Sequence, residues 1–133
     1  MSKKKIFISY DYDNDKRDKN LLLAWDKNSA FDFSFDDHSA DVSIDSKDAD
    51  AIKRAISAKI NSATYFLCII GENTHKSKWV KWEISKAVAL EKKLVAVKKD
   101  STNTSPDEIL GVGASWAMSF TFDSITKAID DAK

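Results

Sequence analysis

Residues 64–70, Thr-Tyr-Phe-Leu-Cys-Ile-Ile, form the most apolar run in this 133-residue chain, and they restrict the fold more than any other segment. The run is far short of the roughly 20 apolar residues that cross a bilayer. It also lacks the polar–apolar alternation of a strand with one wet face. A short, continuous run of aromatic and aliphatic residues suits a central strand of a parallel sheet, covered on both faces.

The neighbouring segments supply the rest of such a sheet. Residues 5–10, Lys-Ile-Phe-Ile-Ser-Tyr, read as a first strand, and residues 31–35, Phe-Asp-Phe-Ser-Phe, alternate as a second. After a polar turn at 11–15, residues 16–27 carry Leu21, Leu22 and Trp25 at helical spacing. From residue 47 onward Ala51, Ile52, Ala55, Ile56 and Ile60 recur at three- and four-residue steps and predict an amphipathic helix. Ser77 is a suitable N-cap for a helix to about residue 92, with a core stripe of Val80, Ile84, Ala87, Val88 and Leu90. Residues 94–97 predict a fourth strand, 116–120 a weaker fifth and 123–132 a closing helix, with a loop at 100–113 that admits a short helix after Pro106. Strands alternating with helices imply right-handed crossovers. The expected fold is a flavodoxin-like α/β three-layer sandwich whose five-stranded parallel sheet has the order 2-1-3-4-5, in a single domain spanning 1–133.

Composition narrows the function. Twenty-one basic and 21 acidic residues cancel, which argues against nucleic acid as the primary partner. One cysteine, Cys68, excludes an intramolecular disulfide and any multi-cysteine metal site. The N-terminal lysines precede too short an apolar stretch for a signal peptide, so a cytoplasmic protein without a membrane anchor is expected. His38 and His75 lie in different loops, and no metal site is expected. Neither a phosphate-cradling Gly-rich loop nor a Gly-x-Ser-x-Gly elbow occurs. Asp11, Asp13 and Asp15 suggest a receiver-type magnesium site, but the third strand ends Ile69-Ile70-Gly71, without the aspartate that such a site phosphorylates.

Sheets of this kind bind ligands outside the carboxyl ends of their strands, where strand order reverses. The segments 9–13, 36–46 and 71 to the first turns of the Ser77 helix all meet there. Trp79 and Glu83, four residues apart, share a helix face. At about 100° per residue, Glu83 falls roughly 80° from the centre of the apolar stripe, at the edge of the buried face. Lys78, Lys81 and Lys86 flank it, so taken alone it reads as a solvated glutamate.

Two blocks change its weight. Lys5-Ile6-Phe7-Ile8-Ser9-Tyr10 resembles the opening strand of Toll/interleukin-receptor (TIR) domains, and Ser77-Lys78-Trp79-Val80-Lys81-Trp82-Glu83-Ile84 resembles their Trp-x-x-x-Glu helix. The resemblance covers roughly residues 4–100. Asp37-His38-Ser39 and Ile70-Gly71-Glu72-Asn73-Thr74 place the chain nearest the bacterial TIR-like group that includes the signalling subunit of the Thoeris antiphage system. It departs from receptor members in having neither Gly nor Pro in 36–46.

The resemblance implies cleavage or cyclisation of NAD, as substrate rather than cofactor, with Glu83 catalytic. Trp79 would offer a face to the ring or ribose, Ser9, Tyr10 and Asp11 would line the opposite wall, and Asp37 and Ser39 would border the pocket. Expected partners are NAD, further copies of the chain, and an effector protein that responds to the product. The competing expectation is a non-enzymatic TIR-type interaction and assembly module. A weaker one is a nucleoside deoxyribosyltransferase-like enzyme, whose usual late-chain contribution to the active site is not evident here.

Overall fold

The structure is a computed structural model, described for residues 3–26, 30–36 and 42–133. Its strands are β1 (Lys4–Ser9), β2 (Phe31–Ser34), β3 (Tyr65–Ile70), β4 (Lys93–Lys98) and β5 (Ser115–Ala117). Its helices are α1 (Tyr12–Trp25), α2 (Ala49–Ser62), α3 (Lys78–Ala89) and α4 (Phe122–Asp131). All neighbouring strands run parallel, in the order β2-β1-β3-β4-β5. This is the flavodoxin-like sandwich that the alternation predicts.

β3 is buried at each of its six residues because successive side chains enter different cores. On one face Leu67 and Ile69 join Ile6, Ile8, Val95 and Val97 beneath α1 and α4. On the other, Phe66, Cys68 and Ile70 join Phe7 and Ala96 beneath α2 and α3. Thr64 is exposed and lies just outside β3, although its backbone still bonds to Lys5 and Lys93.

Several boundaries differ from the sequence expectation, each for a local reason. α1 begins at Tyr12, in the segment expected to be a turn, because the Asp11 carboxylate accepts from the Asp13 N–H and caps the helix. Asp13 and Asp15 then sit in the first turn, where negative charge is favourable. Leu21 is exposed while Leu22 is fully buried. Ala51 and Ala55 face solvent, leaving the α2 contact to Ala49, Ile52, Ile56 and Ile60. β2 stops at Ser34, one residue before Phe35. β5 is the segment 115–117 rather than 116–120, and Met118 beyond it is exposed. The short helix after Pro106 is a 3-10 turn, Asp107–Ile109, that buries Ile109.

α3 ends at Ala89 instead of running to 92, which leaves Val88 exposed. The Glu91 N–H donates to the Val88 carbonyl and the Lys92 N–H to the Ala87 carbonyl. This is the bonding of a Schellman cap, and it places Glu91 at φ +57°, where glycine is the favoured residue. Glu91→Gly should therefore stabilise the domain by about 0.5–1 kcal/mol, read as a raised urea midpoint with unchanged slope. An unchanged or lower midpoint would refute the strain.

Candidate functional site

Strand order reverses between β1 and β3, and the crevice at their carboxyl ends is where the unusual polar side chains gather. α3 follows β3 and is started there by Ser77, whose hydroxyl accepts from the Val80 N–H at 3.2 Å. Its apolar contact residues Val80, Ile84 and Ala87 turn the same side of the helix toward the sheet, and Glu83 goes in with them. Glu83 is only 5% exposed, well inside the edge position that the helical periodicity indicates. What receives it is Ser9, the last residue of β1. The wholly buried Ser9 hydroxyl donates to Glu83 Oε1 at 2.6 Å, joining residues 74 apart in sequence.

Glu83 opens onto a cavity of about 80 Å³, room for one small ring or several waters. Ile8, Tyr10 and Asp11 at the end of β1, with Tyr12 and Asp13 at the start of α1, make one wall. Ser77 and Trp79 make another, and Asp36, just beyond β2, adds to a third. Of the residues singled out from sequence, Tyr10, Asp11, Trp79 and Glu83 line this space. Ser9 stands behind Glu83 and orients it. Asp37 and Ser39 lie outside the described residues.

The electrostatics are one-sided. The described lining residues include four carboxylates (Asp11, Asp13, Asp36 and Glu83) and no lysine, arginine or histidine. Burial pushes the Glu83 carboxyl up to about 8, with the charge of Asp36 adding to the rise and the Ser9 hydrogen bond opposing it. With its carboxyl raised that far, Glu83 carries a proton at neutral pH. A cation entering beside it would favour the ionised form and release that proton. Phosphate groups would meet like charge. Cys68, on β3 nearby, is held as a thiol, first by burial and then by the neighbouring Glu83 and Asp15.

Trp79 has a second task that its spacing does not disclose. Its indole N–H donates to the Val42 carbonyl at 2.8 Å, and its ring meets Trp82 edge to face, 6.1 Å between centroids. The side chain thus ties the segment after the second-strand loop to the first turn of α3. The nearby Lys78–Asp45 pair, 3.7 Å apart and exposed on both sides, adds little to this tie.

A further polar cluster lies behind the crevice. Asp15 is 1% exposed and accepts from the Thr74 hydroxyl at 2.8 Å and from Lys99 at 3.0 Å. Thr74 in turn accepts from the Gly71 N–H at 2.7 Å. Burial raises the Asp15 carboxyl and these hydrogen bonds oppose the rise. Asp15 is accordingly a buried brace between α1 and the β3–α3 turn.

Comparison with known proteins follows the same lines. The fold matches a 2-deoxyribosyltransferase from Bacillus psychrosaccharolyticus with a TM-score of 0.65 and 15% identity, covering 87% of each chain. It matches the CMP N-glycosidase BcmB of Clostridium botulinum with a TM-score of 0.61 and 16% identity, over 96% of this chain and 99% of that one. A conserved protein from Enterococcus faecalis V583 matches at 0.53 and 19% identity, over 80% of this chain and 70% of its own. At these identities the likeness is one of fold. A sequence search of curated proteins finds no match. The family model for the TIR-like domain of the Thoeris protein ThsB matches residues 7–104, from β1 through β4 and including both Ser9 and Glu83. The chain belongs to that family, the TIR-like domains of Thoeris ThsB, and is a defence-related signalling module.

Proposed function

We propose that this domain breaks the bond between ribose and nicotinamide in NAD and so generates an ADP-ribose-type signal. The observation that supports it most is the buried, Ser9-held Glu83 opening onto a cavity whose described charged lining is entirely acidic. Most glycoside cleavage needs a proton donor for the leaving oxygen besides a second carboxylate. Nicotinamide needs none. The C–N bond electrons pass to the cationic ring nitrogen, and the ring departs neutral. The positive charge moves to the ribose, where ionised Glu83 stabilises the oxocarbenium-like state. Water completes hydrolysis, giving ADP-ribose and a proton, or the adenine of the same molecule closes a cyclic product. Trp79 and Tyr10 flank the ring and ribose, and the phosphates stay outside the acidic cavity. The product signal acts on an effector protein, and self-association of the domain regulates its output.

Incubation of the purified protein with NAD, followed by mass spectrometry, tests the reading through nicotinamide release. Its pH dependence is specific. Because the free protein must lose the Glu83 proton, kcat/KM should rise about tenfold per pH unit from pH 6 and level off near 8. A flat profile across that range would remove Glu83 from the chemistry. CMP serves as the contrasting substrate, since the fold is shared with a CMP N-glycosidase. Its phosphate would meet an acidic lining, so turnover of CMP in preference to NAD would replace the present reading with nucleotide N-glycoside cleavage. Absence of turnover on both, with assembly retained, would favour the interaction module.

A further inference from the structure

We propose that the outer edge of β2 pairs with the same edge of a second copy of this chain, antiparallel and about a two-fold axis, so that two sheets continue as one. The inference goes beyond the NAD reading and does not depend on it. Among the described residues β1 is the one strand partner of β2, which leaves its other side as an open edge. Chains usually guard such an edge with lysine, proline or a bulge. Residues 31–35, Phe-Asp-Phe-Ser-Phe, contain neither lysine nor proline. Phe31, Phe33 and Phe35 lie on the α1–α4 side of the sheet and are each only half-buried. Both ends of the segment are pinned before any partner arrives. The Asp26 carboxylate accepts from the Phe31 N–H at 3.0 Å, and Lys59 donates to the Phe35 carbonyl at 2.9 Å. A strand held in shape loses less freedom on pairing.

The sequence of the edge selects both the partner and the register. A two-fold interface needs a surface that complements itself, and directly opposed residues of an antiparallel pair lie on one face of the sheet. The axis therefore passes through a residue, and for most of the segment to pair that residue is Asp32, Phe33 or Ser34. Centred on Asp32, the pair sets that carboxylate against its own copy. Centred on Ser34, it sets Asp32 against Asp36, again two carboxylates, and Asp36 is buried. Centred on Phe33, ring meets ring, and Phe31 meets Phe35 of the second copy. Asp32 then meets Ser34, whose hydroxyl can donate to the carboxylate, and symmetry makes that bond twice. Asp32 and Ser34 line a groove with Lys5 and Lys59 on the other side of the sheet, so the polar pairs and the rings stay on separate faces. With 21 charges of each sign, two copies meet no net repulsion on approach. Five residues from each copy fall at or below the ~1,200 Å² of the smaller specific interfaces, so the dimer is weak and depends on concentration.

Sedimentation of the whole chain over a wide range of concentration should show a monomer giving way to a dimer and to nothing larger. The amides of 31–34 exchange early in the monomer and should slow as the concentration rises. Charge changes then test the register. Ser34→Asp sets carboxylate against carboxylate at both symmetry-related positions and should raise the dimer dissociation constant by about tenfold, whereas Ser34→Lys should lower it by about as much. Asp32→Ser combined with Ser34→Asp exchanges the two partners and should return the constant to within about threefold of wild type. Asp32→Ser alone, a change at an exposed side chain, should weaken the dimer. A stronger dimer in that variant would mean the register centred on Asp32 and would overturn the one proposed. A monomer at every concentration overturns the proposal, as do open-ended species larger than a dimer, in which β2 meets a different surface such as the β5 edge. Dimerisation without slower exchange at 31–34 would likewise move the interface elsewhere. These wild-type results decide the matter even if a variant fails to fold.

Discussion

Glu83→Gln should lose NAD cleavage by about 10²–10³-fold, equivalent to 3–4 kcal/mol of transition-state stabilisation, while remaining folded. Glutamine matches the protonated glutamate in size and can still accept from Ser9, but it cannot ionise to face a developing ribosyl cation. Its effect on stability should depend on pH in a defined sense. The Glu83 carboxyl ionises near 8 in the folded protein against an ordinary value of 4.5. Between those values the folded state holds the proton more firmly than the unfolded state, so wild-type stability falls as pH rises from 4.5 to 8 and then levels off. The variant lacks this slope. It should match wild type near pH 5 and exceed it above pH 8 by a margin on the order of a few kcal/mol. Melting curves at pH 5 and pH 9 check this, alongside nicotinamide release. Wild-type turnover in Glu83→Gln would move the chemistry elsewhere, and parallel stability profiles would show that Glu83 is ionised in the resting protein.

Gly71→Ala should lower stability by about 2–4 kcal/mol. The reason is space. A Cβ on Gly71 meets the Asp15 carboxylate, coming to 3.0 Å from both Cγ and Oδ2. Asp15 cannot swing aside cheaply, because Thr74 and Lys99 hold it and it is out of contact with water. Moving it breaks those bonds or displaces the β3–α3 turn. For a domain of this size the loss amounts to a melting point lower by roughly 10 °C. The cause can be isolated by combining Gly71→Ala with Asp15→Ala, which vacates the contested volume. The double variant should be less destabilised than the two single losses added together. A Gly71→Ala protein within 0.5 kcal/mol of wild type would mean that the brace yields easily.

What the sequence discloses depends on whether one element or several decide the outcome. The apolar run at 65–70 and the β-branched strands at 5–9 and 94–97 each carry their own signal, so the sheet and its order are legible. Glu83 is legible as a candidate through its family motif, but its burial is not. Periodicity places it at the stripe's edge among lysines, and only the end of β1 beneath it shows that this edge is closed. Asp36 escapes for the same reason, since one aspartate in an acidic stretch acquires meaning from the wall it meets. The start of α1 is misread because Asp11, Asp13 and Asp15 look like turn residues, although an acidic first turn after an Asp cap is also a helix signature. Trp79's bond to Val42 is invisible to spacing altogether, being a contact between a side chain and a distant carbonyl.

The three walls of the cavity differ in how firmly the fold holds them. The wall of Ile8 and Tyr10 lies at the end of a strand paired on both sides, with β2 and β3, and the wall of Ser77 and Trp79 belongs to the helix that carries Glu83 into the core. The Asp36 wall continues from β2, a four-residue edge strand paired on one side and without a fully buried side chain. Amide hydrogen exchange follows such differences directly, because opening an edge strand exposes far less apolar surface than opening the middle of a sheet. The amides of 6–9 and 65–70 should exchange near the rate set by global unfolding, and those of 31–34 much sooner. Across the few ångströms of one small cavity, the protein passes from its slowest-exchanging backbone to one of its fastest.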